Sequence, residues 1–440
     1  MLKKCTDIVN GFIEKLKDRL GKNEKVIVKG TGAAFLGICA FNISSFFLLL
    51  AKTRLMPASD VGLIVLAKSI VLTAFILGNG FSGAVFRYAS IFRGERARDR
   101  IKGVVVVAYR YVVPILFLIF LLITAFAGHI AVNIFHKPQL VILIRILALM
   151  VFFKIITNIN AALLRSKYLV QYYYFFDVGV QLLMLLLVFI LFVFGQRNFL
   201  IMFAVAWTVA QLFVMTRSFF IVKREFPFVF DGKIKSREYK KKFFLFAFVT
   251  QITSILIRFR LEISIFIIGF FLLTSDIALY NVALQMGMAA GMLVQGLNSI
   301  FPAVTGVLYG QDRIREIRKL HSRTAGILLA IALLVFIFFL LFGRFILGIF
   351  GTYYVAAYIP LLIIAFSFII ESGVGPAGRI LNMMGKPQYN TVNTLIGLAM
   401  TVVLCYTLIP GYKVAGAAVA FAASNIVKRL LMLGEVRWLY

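Results

Sequence analysis

Carboxylates are scarce in this chain: 17 Asp and Glu stand against 47 Lys and Arg among 440 residues. In a soluble protein the resulting formal charge of +30 would suggest nucleic acid as a partner. Hydropathy removes that reading, because 62% of the residues are hydrophobic and the mean hydropathy is +0.98. The chain is therefore expected to be a polytopic membrane protein, with its positive charge assigned first to cytoplasmic loops and no nucleic-acid partner. Cysteine is nearly absent. Cys5, Cys39 and Cys405 form no CxxC pair, which excludes a disulfide framework and a cysteine metal cluster. The histidines His129, His136 and His321 fall at span ends or in a loop, without the spacing of a metal site. The glycine-rich stretch Gly373 to Gly378 lacks the lysine of a phosphate-binding loop, so no cofactor is expected. The charged opening lacks the short apolar core and cleavage site of a signal peptide, so the first span is expected to serve as signal anchor.

What the chain does have is apolar runs long enough to cross a bilayer, for which about twenty residues suffice. Twelve are expected, over 30–51, 61–85, 103–128, 139–163, 169–195, 198–221, 243–273, 277–305, 324–348, 356–383, 389–409 and 414–434. An even number places both termini on one side. The loops and tails on that side hold 33 of the 47 Lys and Arg, against six in the opposite loops: Lys52, Arg54, Lys137, Arg197, Arg344 and Lys413. The positive-inside rule then puts both ends in the cytoplasm of a cell-membrane protein. The outer loops are all short, leaving no room for a catalytic domain, and the chain is not expected to be an enzyme.

Four segments follow from this topology. Residues 1–29 form a cytoplasmic amphipathic segment, with Cys5, Val9, Phe12, Leu16 and Leu20 at helical spacing. Residues 30–222 form an N-terminal six-helix lobe, 223–242 a basic cytoplasmic linker, and 243–440 a C-terminal six-helix lobe. The halves carry a repeat. Ser-Asp-Val-Gly-Leu at 59–63 returns as Ser-Asp-Ile-Ala-Leu at 275–279, each between the first and second span of its half. Likewise Asn79, Ala84 and Val85 correspond to Asn298, Ala303 and Val304. Six spans per half make the repeat parallel, with its axis along the membrane normal.

Charge inside the spans is the strongest functional signal. Phe243 to Leu273 is apolar except for Arg258, Arg260 and Glu262 near its middle, where an ionised side chain costs roughly 2.5–3.5 kcal/mol on insertion scales. Arg258 and Glu262 are four apart and share a face, whereas Arg260 is turned about 200° away from Arg258. Either these arginines pair inside the bundle, or they line a polar cavity for an anionic substrate. Lys68, Lys154, Asp177, Glu371 and Arg379 add further intramembrane charge, and Asn158 extends a polar stripe from Lys154. Arg145 lies nearer the outer surface, where snorkelling accounts for it. Cations outnumber carboxylates here, which suits a phosphate or pyrophosphate better than a metal or organic cation. Asn42, Asn79, Gln251, Gln285, Gln295 and Asn298 could contact sugar or simply hold helices together. Gly78, Gly80, Gly83, Gly287, Gly291, Gly296 and Pro302 mark corresponding spans of the two halves and serve either close packing or bending.

Several short motifs, in this order and topology, resemble the oligosaccharide and polysaccharide flippases, including the O-antigen flippases, of the multidrug/oligosaccharidyl-lipid/polysaccharide exporter superfamily. They are Arg54-Leu55-Met56-Pro57 with Asp60-Val61-Gly62-Leu63, Glu262 followed by Tyr280 and Ala283, and Met384-Gly385-Lys386-Pro387. Leu408-Ile409-Pro410-Gly411-Tyr412 with Gly416-Ala417-Ala418 completes the set. The resemblance implies an all-α fold of about 12 transmembrane helices in two pseudo-symmetric six-helix bundles around a central cavity, opening alternately to either side. It also implies a polyprenyl-(pyro)phosphate-linked oligosaccharide as substrate, in contact with membrane lipids and with other polysaccharide-assembly membrane proteins. The family keeps an acidic residue at the position of Glu262, often Asp. The expected head-group site comprises Arg258, Arg260, Glu262, Lys154, Asn158, Lys68, Glu371 and Arg379. A cation-coupled multidrug exporter of the same superfamily is the alternative, and it would need carboxylates that the first half supplies only at Asp177. A membrane-embedded polysaccharide polymerase or ligase is a third class, and it would need a large outer loop.

Overall fold

A computed structural model describes residues 22–75, 79–167, 169, 171–194, 198–229, 240–290, 301, 305, 308, 311, 313–384 and 386–439. The expected amphipathic stretch over 1–20, most of the basic linker, and the middle of the eighth span with Gly291, Gln295, Gly296, Asn298 and Pro302 lie outside the described residues. Among the described residues there is no strand, and the helices follow one another closely. In chain order they are α1 (Lys22–Leu55), α2 (Ala58–Ala74), α3 (Asn79–Gly94), α4 (Arg98–Gly128), α5 (Leu140–Ser166), α6 (Gln171–Val193) and α7 (Phe199–Glu225). The second half continues with α8 (Lys240–Phe271), α9 (Thr274–Ala290), α10 (Ile314–Phe350), α11 (Tyr358–Val374), α12 (Ala377–Met383) and α13 (Pro387–Leu439).

Eight stretches among the described residues are long and apolar enough to cross a membrane. The last of these, Gln388–Trp438, is two helices joined at a kink: Lys413 has φ 49° and ψ −129°, three residues after Pro410. Proline lacks the amide needed to continue the helix, and the chain doubles back there. The turn is tight enough that a Cβ on Gly416 would stand 2.5 Å from the Leu408 carbonyl oxygen. Gly416→Val should therefore lower stability by roughly 1–3 kcal/mol, the usual cost of overpacking. Thermal unfolding in detergent checks this, with Gly434→Ala, whose Cβ meets nothing within 4 Å, as the unshifted control.

The repeated Ser-Asp motif has a helix-terminal role. Asp60 and Asp276 fall in the first turns of α2 and α9, where a carboxylate complements the helix dipole, and Asp276 Oδ2 accepts the Leu273 amide at 3.2 Å. These two equivalent helices pack directly on each other. Elsewhere in the first half, α5 is central, packing against α2, α3, α4 and α7. In the second half α13 packs against α8 and α11, and α11 against α9 and α10. Between the halves run α2 with α9, α2 with α8 and α3 with α8. The last of these contacts is aromatic, with Phe81 and Tyr88 against Phe243, Phe244 and Phe246 at centroid distances of 6.0–6.4 Å.

The outer surfaces of the helices are apolar. Phe117, Leu118, Leu121 and Leu122 on α4, and Leu334, Leu341 and Phe345 on α10, are all exposed. In water such surfaces would drive aggregation, whereas acyl chains cover them at no cost. Polar side chains are turned inward instead. Gln181 on α6 bonds Ser44 and Ser45 of α1, and Asn160 on α5 bonds Ser218 of α7 at 2.7 Å and Tyr109 of α4. These are interhelical ties of the kind that hold membrane helices together.

Candidate substrate site

The middle of α8 presents two faces with different partners. On one face, Arg258 Nη2 contacts Glu262 Oε1 at 2.8 Å, one turn on. The other carboxylate oxygen, Oε2, accepts a 2.6 Å hydrogen bond from Ser69 Oγ of α2, so Glu262 ties α8 to α2. Beside Ser69, the Lys68 ammonium lies within electrostatic reach of Arg258, Glu262 and Lys154. Lys154 on α5 faces Asp177 of α6 at 3.5 Å, with about a third of each side chain exposed (37% and 30%). Asn158 follows one turn after Lys154 and is half-buried.

Sequence reasoning missed two members of this group. Lys52, at the end of α1, is buried beside Lys68, and Trp207 of α7 lies under both ammonium groups at 5.0 Å and 5.2 Å. Phe203 adds a second ring 4.9 Å from Lys52. Lys52 reads from sequence as one of the few outer-loop cations, and nothing in its neighbours announces an aromatic partner 155 residues away. The group thus holds Lys52, Lys68, Lys154 and Arg258 against Asp177 and Glu262, an excess of two positive charges. Cation–π contact is worth roughly 0.5–2 kcal/mol and holds an ammonium without neutralising it. Trp207→Leu should therefore lower stability by roughly 0.5–2 kcal/mol while Trp207→Phe retains most of it, measured by thermal unfolding in detergent.

The other face of α8 leads elsewhere. Arg260 is buried and points into the second half, where Nη2 reaches Asn425 Oδ1 at 3.5 Å and the guanidinium lies 5.7 Å from the Phe421 centroid. Glu371 of α11 joins it there, paired with Arg429 of α13 and accepting from Asn425 Nδ2 at 2.9 Å. Arg379 is exposed on α12 and has no ion-pair partner among the described residues. The structure therefore brings Arg258, Glu262, Lys68 and Lys154 together and sets Arg260 and Glu371 apart from them. The 200° turn between Arg258 and Arg260 is the reason: one helix cannot aim both into one chamber. No group of three metal-ligating side chains is present among the described residues.

At one end of the bundle the halves are drawn tightly together. A Cβ on Gly62 of α2 would stand 1.7 Å from the Thr274 carbonyl oxygen at the start of α9. Arg54 donates to the Ile349 and Gly348 carbonyls at 2.6 Å and 3.2 Å, capping the end of α10. Lys137 does the same for α8 through the Gly269 carbonyl at 2.7 Å. Cations suit the negative ends of these helices. Three first-half residues thus clasp second-half helix ends: Arg54 from the end of α1, Gly62 from the start of α2, and Lys137 from the loop between α4 and α5.

The sequence profile described as polysaccharide biosynthesis protein matches residues 27–307, nearly two thirds of the chain. The chain belongs to that family. A second profile, MatE, matches residues 250–407. Among curated members, the probable low-salt glycan biosynthesis flippase Agl15 of Haloferax volcanii is 31% identical over 169 residues. That match covers 38% of this chain and about a third (35%) of the relative's own length. The fold is that of the multidrug/oligosaccharidyl-lipid/polysaccharide exporters. The lipid II flippase MurJ in an inward closed conformation superposes with a TM-score of 0.73 at 14% identity, over 93% of this chain and 87% of that one. An inward-facing multidrug resistance MATE transporter gives 0.72 at 15% identity, over 90% and 94%. A Pyrococcus furiosus transporter described by a binding pocket of reverse polarity gives 0.68 at 17% identity, over 95% and 96%. This member of the polysaccharide biosynthesis family is thus an all-α multi-pass membrane protein of a flippase and transporter fold.

Proposed function

We propose that the protein moves a polyprenyl-(pyro)phosphate-linked oligosaccharide from the inner to the outer leaflet of the cytoplasmic membrane by alternating access. One observation carries this reading: four cations against two carboxylates where α8 meets α2, with Arg258 and Lys154 still partly exposed. Burial of net positive charge is costly unless an anion answers it, and a guanidinium beside ammonium groups suits phosphate oxygens. In this reading residues 30–222 and 243–440 act as two rocking lobes joined by the basic linker 223–242, with both termini in the cytoplasm. The clasp at Gly62, Arg54 and Lys137 is then the closed outer gate, and the chamber opens inward. Arg258, Lys68 and Lys154 contact phosphate, Asn158 contacts phosphate or sugar, and Glu262 orients Arg258. The lipid tail stays among acyl chains throughout.

The test is deletion of the gene, followed by extraction of lipid-linked glycans. Accumulation of one glycan, protected in the inner leaflet and restored to the outer by the reconstituted protein, is the expected result. Unchanged glycolipids together with dye or drug efflux would favour the multidrug reading that the exporter fold keeps in view. Membrane potential supplies a second check. Each charge crossing the full field is worth roughly 2.3 kcal/mol per 100 mV, so an inside-negative potential should speed inward return of the empty, cation-bearing chamber. Flipping in proteoliposomes should then rise with an imposed inside-negative potential and fall when it is collapsed.

A further inference from the structure

The polar cluster within the second half holds more positive charge than its carboxylate can meet. Glu371 spends both oxygens, one on the Arg429 guanidinium and one on Asn425 Nδ2. Arg260 is left with the Asn425 amide oxygen at 3.5 Å, the limit of a hydrogen bond. Its Nη1 is buried with no hydrogen-bond partner among the described residues, and so is Nε of Arg429. Lys428 is a further cation and is buried, 9% exposed beside 7% for Arg260. The ionisable groups that bear on Arg260 are Arg429, Glu371 and Tyr280, and those that bear on Lys428 are Arg260, Arg429 and Glu371. Three cations therefore share one carboxylate whose oxygens are already taken.

Space exists beside them. Gly397 stands where the nearest atoms to an added Cβ would be Arg260 Cδ, Lys428 Cβ and the Ser424 carbonyl oxygen, each 3.6 Å away. A methyl group could occupy that place in ordinary contact. Buried polar groups are otherwise almost always satisfied, and buried charges are paired. Two guanidinium nitrogens without a partner and a buried ammonium therefore leave a place for an acceptor that the described residues do not supply.

We propose that this cluster binds a small inorganic monoanion, chloride in ordinary media, between Arg260, Arg429 and Lys428. Arg260 and Lys428 are buried and the Arg429 side chain is only 22% exposed, which suits a bare ion rather than a head group with a chain attached. The ion ties α8 to α13 and answers charge that Glu371 leaves over. It is separate from the substrate site, because Arg260 points to the opposite side of α8 from Arg258, and it does not depend on the transport reading.

Equilibrium binding of radiolabelled chloride to the purified full-length protein in nanodiscs, exchanged against gluconate at constant ionic strength, tests it. One saturable site per chain is expected, together with a Tm that climbs with the logarithm of chloride concentration above Kd. Arg260→Gln and Lys428→Met should abolish both signals, Gly397→Val should weaken chloride binding at least tenfold, and Arg145→Gln, at an exposed position, should leave both intact. The wild-type isotherm decides the matter even where a variant fails to fold. Absence of saturable chloride binding, a response to inorganic phosphate in its place, or binding that survives both cation substitutions overturns the proposal. Glycolipid flipping is not a readout here, so such a failure leaves the transport reading standing.

Discussion

Gly62→Leu should reduce glycolipid flipping roughly 100-fold while the protein still reaches the membrane. The reason is distance. A Cβ at this position would sit 1.7 Å from the Thr274 carbonyl oxygen, and the obstacle is backbone that cannot rotate away. To admit any side chain, α2 and α9 must part at their first turns, and the Arg54 and Lys137 caps at the same end must lengthen with them. Overpacking of this kind costs about 3 kcal/mol or more, and every 1.4 kcal/mol is a factor of ten in a population. In the proposed mechanism the penalty falls only on the closed-gate state, so the equilibrium shifts rather than the fold being lost. A cysteine reporter at Met56, which is buried, should become accessible to a membrane-impermeant thiol reagent in the Gly62→Leu variant and stay protected in the parent. Gly83→Ala, where an added Cβ meets nothing within 4 Å, should leave flipping unchanged. If Gly62→Leu flips normally, the contact between α2 and α9 is not a gate.

Much of this arrangement is legible in the sequence because it rests on short-range regularities. The repeat at 59–63 and 275–279 marks two equivalent helices, and the structure packs those helices on each other with Asp60 and Asp276 in their first turns. Helical spacing alone separates Arg258 and Glu262 from Arg260. What spacing cannot supply is the partner on another helix. Lys428 and Arg429 read as cytoplasmic cations at the inner end of the last span, 414–434, yet α13 carries them inward beside Arg260 and Glu371. Lys52 reads as a loop cation because a helix end and a membrane surface look alike in composition, and its two aromatic partners come from α7. Helix ends depart from the hydropathy limits for a related reason: α1 begins at Lys22 and α7 runs to Glu225, since lysine and glutamate extend a helix well beyond the apolar run. The expected single site falls into two groups because a count of interior charge covers the whole chain, and its division between the faces of α8 is a three-dimensional fact.

Arg258→Ala should lower flipping roughly 10- to 100-fold at equal protein, on the basis that a hydrogen bond to a charged partner is worth about 1.5–3 kcal/mol. Arg258→Lys should recover part of the loss, since it keeps the charge and forfeits the forked donor geometry. The competing account is that Arg258 serves only to neutralise Glu262, with which it pairs at 2.8 Å. Removing Arg258 leaves the mostly buried Glu262 carboxylate uncompensated, so a single substitution alone cannot separate the two accounts. The double variant Arg258→Ala/Glu262→Gln does so. If the pair is structural, taking out both members relieves the stranded carboxylate and flipping should return towards the parent value. If Arg258 meets the substrate phosphate, the double variant should remain as slow as Arg258→Ala, because the introduced amide oxygen can still accept from Ser69 but no guanidinium is restored. Thermal unfolding of the three variants completes the cycle. The substrate reading expects the double variant to regain stability without regaining transport, and recovery of both together would remove Arg258 from the site.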